Sequence, residues 1–251
     1  MKKEEWNLVS KDYYDEILSP IKDSEKNPLF NDLDKLENKT EKSAIDLGCG
    51  IGEIEETLSN KFKEVLAVDF SEGMLARTKE RNKHLKNVKF ELKDISKLEG
   101  LENKFDVAIA INSIITSEVS EINKMLTQVN NTLKEGGKFM GIFPSMEVYL
   151  YQSLIIAENM SKEDKNSKKV RKRIRKLIKE KEHDFLLGIT NFEGKQKNYY
   201  QFELVWRLKK AGFKKIEIKK VLYSWEEFAK AGQEYFPEEE SPWDWYVICE
   251  K

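Results

Sequence analysis

The stretch from Ser43 to Phe143 constrains this chain most, because short β-branched runs there alternate with longer amphipathic ones. That alternation is the sequence form of repeated βα units, which build a parallel sheet covered by helices. The expected strands are Ala44–Leu47, Val65–Asp69, Val88–Leu92, Phe105–Ile111 and Lys138–Phe143. The stretches after Gly52, after Ser71 and from Glu118 to Leu133 carry apolar residues at three- and four-residue spacing, as helices packed on a sheet do. Gly136-Gly137 reads as the stop of the last of these helices. Before this core, Trp6 to Leu36 reads as one or two short helices broken at Ser19-Pro20 and Asn27-Pro28. After it come a long helical insertion from Ser145 to Asp184, a helix from Tyr199 to Lys210 stopped at Ala211-Gly212-Phe213, and two late strands, Lys215–Leu222 and Trp245–Cys249, which form a hairpin that closes the sheet. At 251 residues this predicts one domain. Its parts are N-terminal cap helices (1–42), a core (43–144), an insertion or lid (145–198) and a sheet-closing C-terminal part (199–251).

Asp46-Leu47-Gly48-Cys49-Gly50-Ile51-Gly52-Glu53 sits where the first strand gives way to a helix. Alternate glycines let a backbone approach a ligand closely, since no Cβ holds it away. Asp69 closes the next strand, where a doubly wound fold presents a carboxylate to ribose hydroxyls. Together they point to a nucleoside-containing ligand. A dinucleotide loop has glycine at its first, third and sixth positions, but the sixth here is Glu53, and no Lys-Ser/Thr completes a phosphate loop. Asp46 beside the loop repels a pyrophosphate and attracts an ammonium or a sulfonium.

The Ala44 to Gly52 stretch resembles the first motif of the class I S-adenosylmethionine-dependent methyltransferases. Val68 to Leu75 resembles the second, Glu91 to Ile95 the third, Phe105 to Ala110 the fourth and Leu133 to Phe139 the fifth, in the family's order. Leu208 to Phe213 and the last strand look like its sheet-closing elements, and Trp6 to Tyr14 is similar to the cap helix of its small-molecule members. The resemblance implies an α/β fold: a doubly wound, mostly parallel Rossmann-like sheet with an antiparallel last strand and a helical insertion. It also implies S-adenosylmethionine as cofactor and S-adenosylhomocysteine as product. The cofactor residues it implies are Asp46, Gly48, Cys49, Gly50, Gly52, Asp69, Phe70, Met74, Asp94, Ile95, Ala110 and Asn112, with Tyr13, Tyr14 and Tyr149 towards the substrate.

A sulfonium methyl is already activated, so alignment suffices unless the acceptor arrives protonated, and no catalytic base is assigned. His183, between Glu182 and Asp184, reads as a general base or as a surface histidine, and His84 as exposed. Cys49 reads as a small filler, with Cys249 far from it, so no disulfide or metal set is expected. With 44 basic and 45 acidic side chains, no global field recruits nucleic acid or membrane. The absence of a signal-like apolar start or a long apolar run predicts a cytoplasmic protein. A small-molecule acceptor leads. The basic run Lys168 to Ile178, with Val170, Ile174, Leu177 and Ile178 on one helical face, keeps an RNA or protein acceptor open. A non-catalytic cofactor-binding or scaffold protein stands as the alternative of another class, and a nicotinamide dehydrogenase comes third.

Overall fold

The computed structural model describes residues 18–22, 24–180, 182–191 and 194–251. Tyr13 and Tyr14 lie outside the described residues, as does the rest of the first part of the expected cap, 1–17. The sheet begins with a short edge strand β1 (Ser24–Lys26), followed by helix α1 (Pro28–Asp34). The core then runs β2 (Ser43–Leu47), α2 (Glu55–Lys61), β3 (Glu64–Asp69), α3 (Glu72–Arg81), β4 (Val88–Leu92), β5 (Phe105–Ile111), α4 (Val119–Thr132) and β6 (Leu133–Phe143). Helices α5 (Met146–Glu163) and α6 (Ser167–Glu180) come next, with a small hairpin of β7 (Ile189–Asn191) and β8 (Lys195–Lys197). The chain closes with α7 (Gln201–Lys210), β9 (Lys214–Tyr223), α8 (Trp225–Lys230) and β10 (Trp243–Glu250).

Eight strands lie in the order β1-β9-β10-β6-β5-β2-β3-β4. The five core strands are mutually parallel, and β10 runs antiparallel to both β6 and β9. The expected closing hairpin is therefore present. The chain winds outward from β2 through β3 to β4, then returns to β5 and β6. The order thus reverses between β2 and β5, which opens a crevice at their carboxyl ends.

Successive strand residues face opposite layers. Ile45, Leu47, Leu66, Val68, Ala108, Ala110, Phe139 and Phe143 pack with Ile122, Leu126 and Val129 of α4 and Leu204 and Leu208 of α7. Ala44, Val65, Ala67, Val107, Ile109, Met140 and Ile142 pack with Leu29 and Leu33 of α1, Leu58 of α2 and Leu75 of α3. Both faces being covered explains why the strands read as continuous apolar runs.

Three expectations change. Helix α4 ends at Leu133, whose extended backbone (φ −76°, ψ 143°) starts β6 directly. Gly136 (φ +73°) lies inside that strand, where the register against β5 shifts, so the glycine pair serves a strand irregularity rather than a helix stop. The insertion is two helices plus the β7–β8 hairpin rather than wholly helical. Its neck closes where Met146 N donates to Tyr199 O (3.0 Å) and Tyr199 N to Pro144 O (2.7 Å). Finally, α8 lies between the two late strands, where no helix was expected, capped by Ser224 Oγ accepting from Glu227 N.

Candidate active site

The turn after β2 sits at the sheet's reversal point. Gly48, Gly50 and Gly52 all have positive φ (+76°, +55° and +78°), yet they answer to different constraints. A Cβ on Gly48 would lie 2.4 Å from Ser113 Cβ, and one on Gly52 would lie 2.2 Å from Asn82 Nδ2. Both glycines are therefore fixed by protein packing as well as backbone conformation. A Cβ on Gly50 would meet nothing within 4 Å, so Gly50 is the glycine that leaves open space. Helix α3 holds the loop from behind. Thr78 Oγ1 donates to the Gly50 carbonyl, and Asn82 Nδ2 donates to the Gly52 carbonyl at 3.1 Å.

In front of the loop is a cavity of about 830 Å³, within the roughly 300–1,000 Å³ range of small-ligand sites. Its lining includes Gly48, Gly50, Asp69, Phe70, Met74, Asp94 and Ile95. The Asp69 carboxylate accepts from Gly50 N (3.0 Å) and from Ser71 N (2.8 Å), so the glycine loop and the start of α3 fix it on the cavity wall. Each of its oxygens keeps a second lone pair, and burial raises its pKa. Asp94 accepts from Ser96 N at 2.8 Å, which orients it at the same wall. A much smaller cavity of about 70 Å³ adjoins, lined by Leu18 to Ile21, Asp46, Cys49 and Glu53 among others. Gly48, Gly50, Ile111 and Asn112 line both cavities.

The remaining expected residues are distributed around this centre. Cys49 lines only the smaller cavity and is buried, with its thiol pushed well up by burial. Gly52 and Ala110 line neither cavity. Ala110 is buried within β5, and Gly52 packs on α3. Tyr149 lines neither; its ring packs edge-on against His183, with centroids 5.1 Å apart. Burial, and then the Asp244 charge, raise the Tyr149 hydroxyl pKa. His183 is half-buried between Tyr149 and Phe185, and His84 is exposed.

Several site residues escaped the sequence reading. The large cavity is also lined by Ile115, Thr116, Glu118, Glu121, Met125 and Lys195. Lys195 arrives on the β7–β8 hairpin, which is docked by Lys197 N donating to Ile115 O at 2.9 Å. The insertion thus reaches the site through its hairpin. Behind the loop, Asp46 and Glu55 are both buried, at 2% and 0% exposure. Burial raises Asp46 to about 7, moderated by a hydrogen bond from Glu55, and pushes Glu55 well above the carboxylate range. Glu55 therefore keeps its proton and donates it to Asp46.

Asp244 completes the centre from the opposite end of the chain. Its Oδ2 accepts from Tyr223 Oη (2.7 Å) and Asn112 Nδ2 (3.2 Å), and its Oδ1 from Ser145 N (3.3 Å). Burial lifts it to about 6 against those donors. The alternation Trp243-Asp244-Trp245, an acid between two buried indoles, was the available signal. Asn112 itself is left-handed (φ +46°), and its buried Oδ1 has no hydrogen-bond partner among the described residues. Such an orphan costs about 1–3 kcal/mol.

This geometry can hold a nucleoside: carboxylates for hydroxyl and amino donors, apolar walls at Phe70, Met74 and Ile95, and a backbone open at Gly50. Comparison with known proteins agrees. A family model for a methyltransferase domain matches residues 44–137. The malonyl-[acyl-carrier protein] O-methyltransferase of Bacillus anthracis is 32% identical over 124 residues, 49% of this chain and 44% of that protein. The phosphoethanolamine N-methyltransferase of Triticum aestivum is 29% identical over 98 residues, 38% of this chain and 19% of that protein. The chain thus spans less than half the length of these curated relatives. Among solved structures, an S-adenosylmethionine-dependent methyltransferase of Methanosarcina mazei superposes with a TM-score of 0.62 at 16% identity, covering 90% of this chain and 98% of that one, which is a likeness of fold. Fold, ordered motifs and matched domain converge: residues 44–137 match a methyltransferase domain, and the described chain shares the fold of an S-adenosylmethionine-dependent methyltransferase.

Proposed function

We propose that the protein transfers the sulfonium methyl of S-adenosylmethionine to a small-molecule acceptor by in-line displacement, releasing S-adenosylhomocysteine. The observation that carries this reading is one cavity of about 830 Å³ lined both by Gly50, Asp69 and Asp94 and by Thr116, Glu118, Glu121, Met125 and Lys195. That volume has room for a donor and a compact acceptor together. Among the described residues, none of the basic stretch 168–176 lines either cavity, which favours a small molecule over nucleic acid.

The bound cofactor supplies an activated methyl group. Asp69 accepts from ribose hydroxyls, Asp94 accepts from the adenine amino group, and Phe70, Met74 and Ile95 wall the ring. Gly48 and Gly50 admit the amino-acid end, while Cys49, Gly52 and Ala110 support loop and strand from behind. Asp46 and Asp69 place negative potential beside a cationic sulfur. The chain then contributes alignment and exclusion of water.

Calorimetric titration with S-adenosylmethionine and S-adenosylhomocysteine, with NAD as control, tests the reading on wild type, Gly50→Arg and Asp69→Ala. Binding of both adenosyl ligands that is lost in the folded variants is the expected result. Silence with both, or preference for NAD, refutes it.

A further inference from the structure

Helix α5 divides one face of the molecule by charge. Successive helical residues turn by about 100°, so Tyr149 and Tyr151 lie on opposite flanks of α5. Leu150 lies between them, and Leu154 follows one turn later on the same outer line. On the Tyr149 flank, α6 packs back along α5 and buries Val170. The chain leaving α6 then returns His183 to the Tyr149 ring, with centroids 5.1 Å apart. On the Tyr151 flank lies the loop before β10, where Tyr151 Oη donates to Glu239 Oε2 (3.3 Å) and accepts from Glu240 N (3.1 Å).

The two flanks carry opposite charge. No carboxylate occurs from Ser167 to Lys179. Lys168, Arg171, Lys172 and Arg175 of α6 are exposed and form no ion pair with the described residues. On the other side Glu238, Glu239 and Glu240 are exposed, and Lys220 approaches Glu240 at 3.7 Å. Between the strips, Leu150 and Leu154 are 37% and 68% exposed. A single exposed leucine is ordinary. Two of them one turn apart, on the line that separates a basic from an acidic strip, have the layout of an interface centre with a charged rim.

The same layout selects the occupant. An RNA or an anionic membrane drawn to α6 would meet the acidic loop across the width of α5, about 10 Å, which is only about one Debye length. A second copy of the chain meets no such conflict. A two-fold axis running along α5 sets leucines on leucines and lays each basic strip on the partner's acidic strip, on both sides at once. An axis crossing α5 at right angles within the interface would instead oppose like charges. We propose that the outer face of α5, edged by α6 and by residues 238–240, pairs two copies of this chain in a closed dimer with their α5 helices parallel.

Sedimentation velocity at micromolar protein, with thermal melts as a check on folding, tests this. Wild type is expected to be a dimer that weakens between about 50 mM and about 500 mM salt. Three variants carry the decision: Lys168→Glu with Lys172→Glu and Arg175→Glu; Glu238→Lys with Glu240→Lys; and Leu154→Asp. In each one alone the dimer dissociation constant rises about tenfold or more, because like charges meet or a charge enters the apolar centre. An equimolar mixture of the two charge-reversed proteins regains the dimer, since the acidic α6 of one then faces the basic loop of the other at both contacts. A wild type that is monomeric at every salt concentration, including one retained instead by RNA or by phosphatidylglycerol vesicles, overturns the proposal. So does a dimer that both charge reversals leave intact, or a mixture that stays monomeric.

Discussion

Glu55→Gln is the most informative single change, because it separates the charge of the carboxyl pair behind the glycine loop from its shape. Glu55 is fully buried, and its proton is the donor that Asp46 receives. Both groups are pushed up by burial, so the folded protein holds protons that the unfolded chain has released. Where the native state binds more protons, stability falls as pH rises. For Asp46 that decline runs from its unfolded value of 3.8 to about 7. For Glu55, which burial and the neighbouring Asp46 charge push well up, it begins near 4.5. Each pH unit over which one extra proton is retained costs about 1.4 kcal/mol. A glutamine side chain offers Asp46 an N–H in the same place and titrates nowhere. The Glu55→Gln variant should match wild type within about 1 kcal/mol near pH 6 and exceed it at higher pH by about 1.4 kcal/mol for each unit over which Glu55 still holds its proton, each kcal/mol being roughly 2–4 °C in Tm for a protein of this size. Glu55→Ala removes the donor and leaves a void, lowering stability at every pH by about 2–4 kcal/mol. Calorimetric melts at pH 6, 7.5 and 9 provide the measurement. A Glu55→Gln protein that loses stability with pH in parallel with wild type, or that is as unstable as Glu55→Ala, refutes the shared-proton account.

Other expectations concern the loop, the hairpin and the basic helix. Gly50→Ala should cost only about 1–2 kcal/mol for the left-handed backbone, whereas Gly52→Ala also collides with the buried Asn82 and Thr78 and should lose about 3 kcal/mol or more; equal melting temperatures would contradict this division of roles. Lys197 is buried, with its pKa lowered by burial, and donates to Glu203 Oε2 (2.8 Å) and Leu187 O (2.6 Å). Lys197→Met should destabilise by about 1–3 kcal/mol by removing one of the two cations bonded to the Glu203 carboxylate, which keeps Arg207 Nε on Oε1 (2.8 Å), and raise KM for the acceptor by loosening the hairpin that presents Lys195. Reversing Lys168, Lys172 and Arg175 to Glu on the exposed side of α6 should leave S-adenosylhomocysteine affinity unchanged, as none of them lines the cavity. Steep, salt-sensitive RNA binding by wild type that disappears in this variant would instead promote a nucleic-acid acceptor.

The sequence by itself determined what depends on near neighbours. The five parallel strands were legible because strands buried on both faces read as apolar runs at βα spacing, and Val88–Leu92 and Phe105–Ile111 fall where that pattern puts them. The glycine loop and Asp69 were legible because turn and strand end lie close in sequence to the elements that shape them. Tertiary structure decided the rest through contacts between distant segments. Gly48 and Gly52 read alike with Gly50, but only the folded chain sets Ser113 against one and Asn82 against the other, leaving Gly50 open. Gly136 looked like a helix stop because the extended pairing of Leu133 with Phe105 is invisible along the chain. Asp244 reaches Asn112 across 132 residues, where β10 enters the sheet antiparallel and its first residues meet the carboxyl ends of the parallel strands. A carboxylate's role there depends on donors supplied by three other segments, and local spacing carries no record of which segments meet.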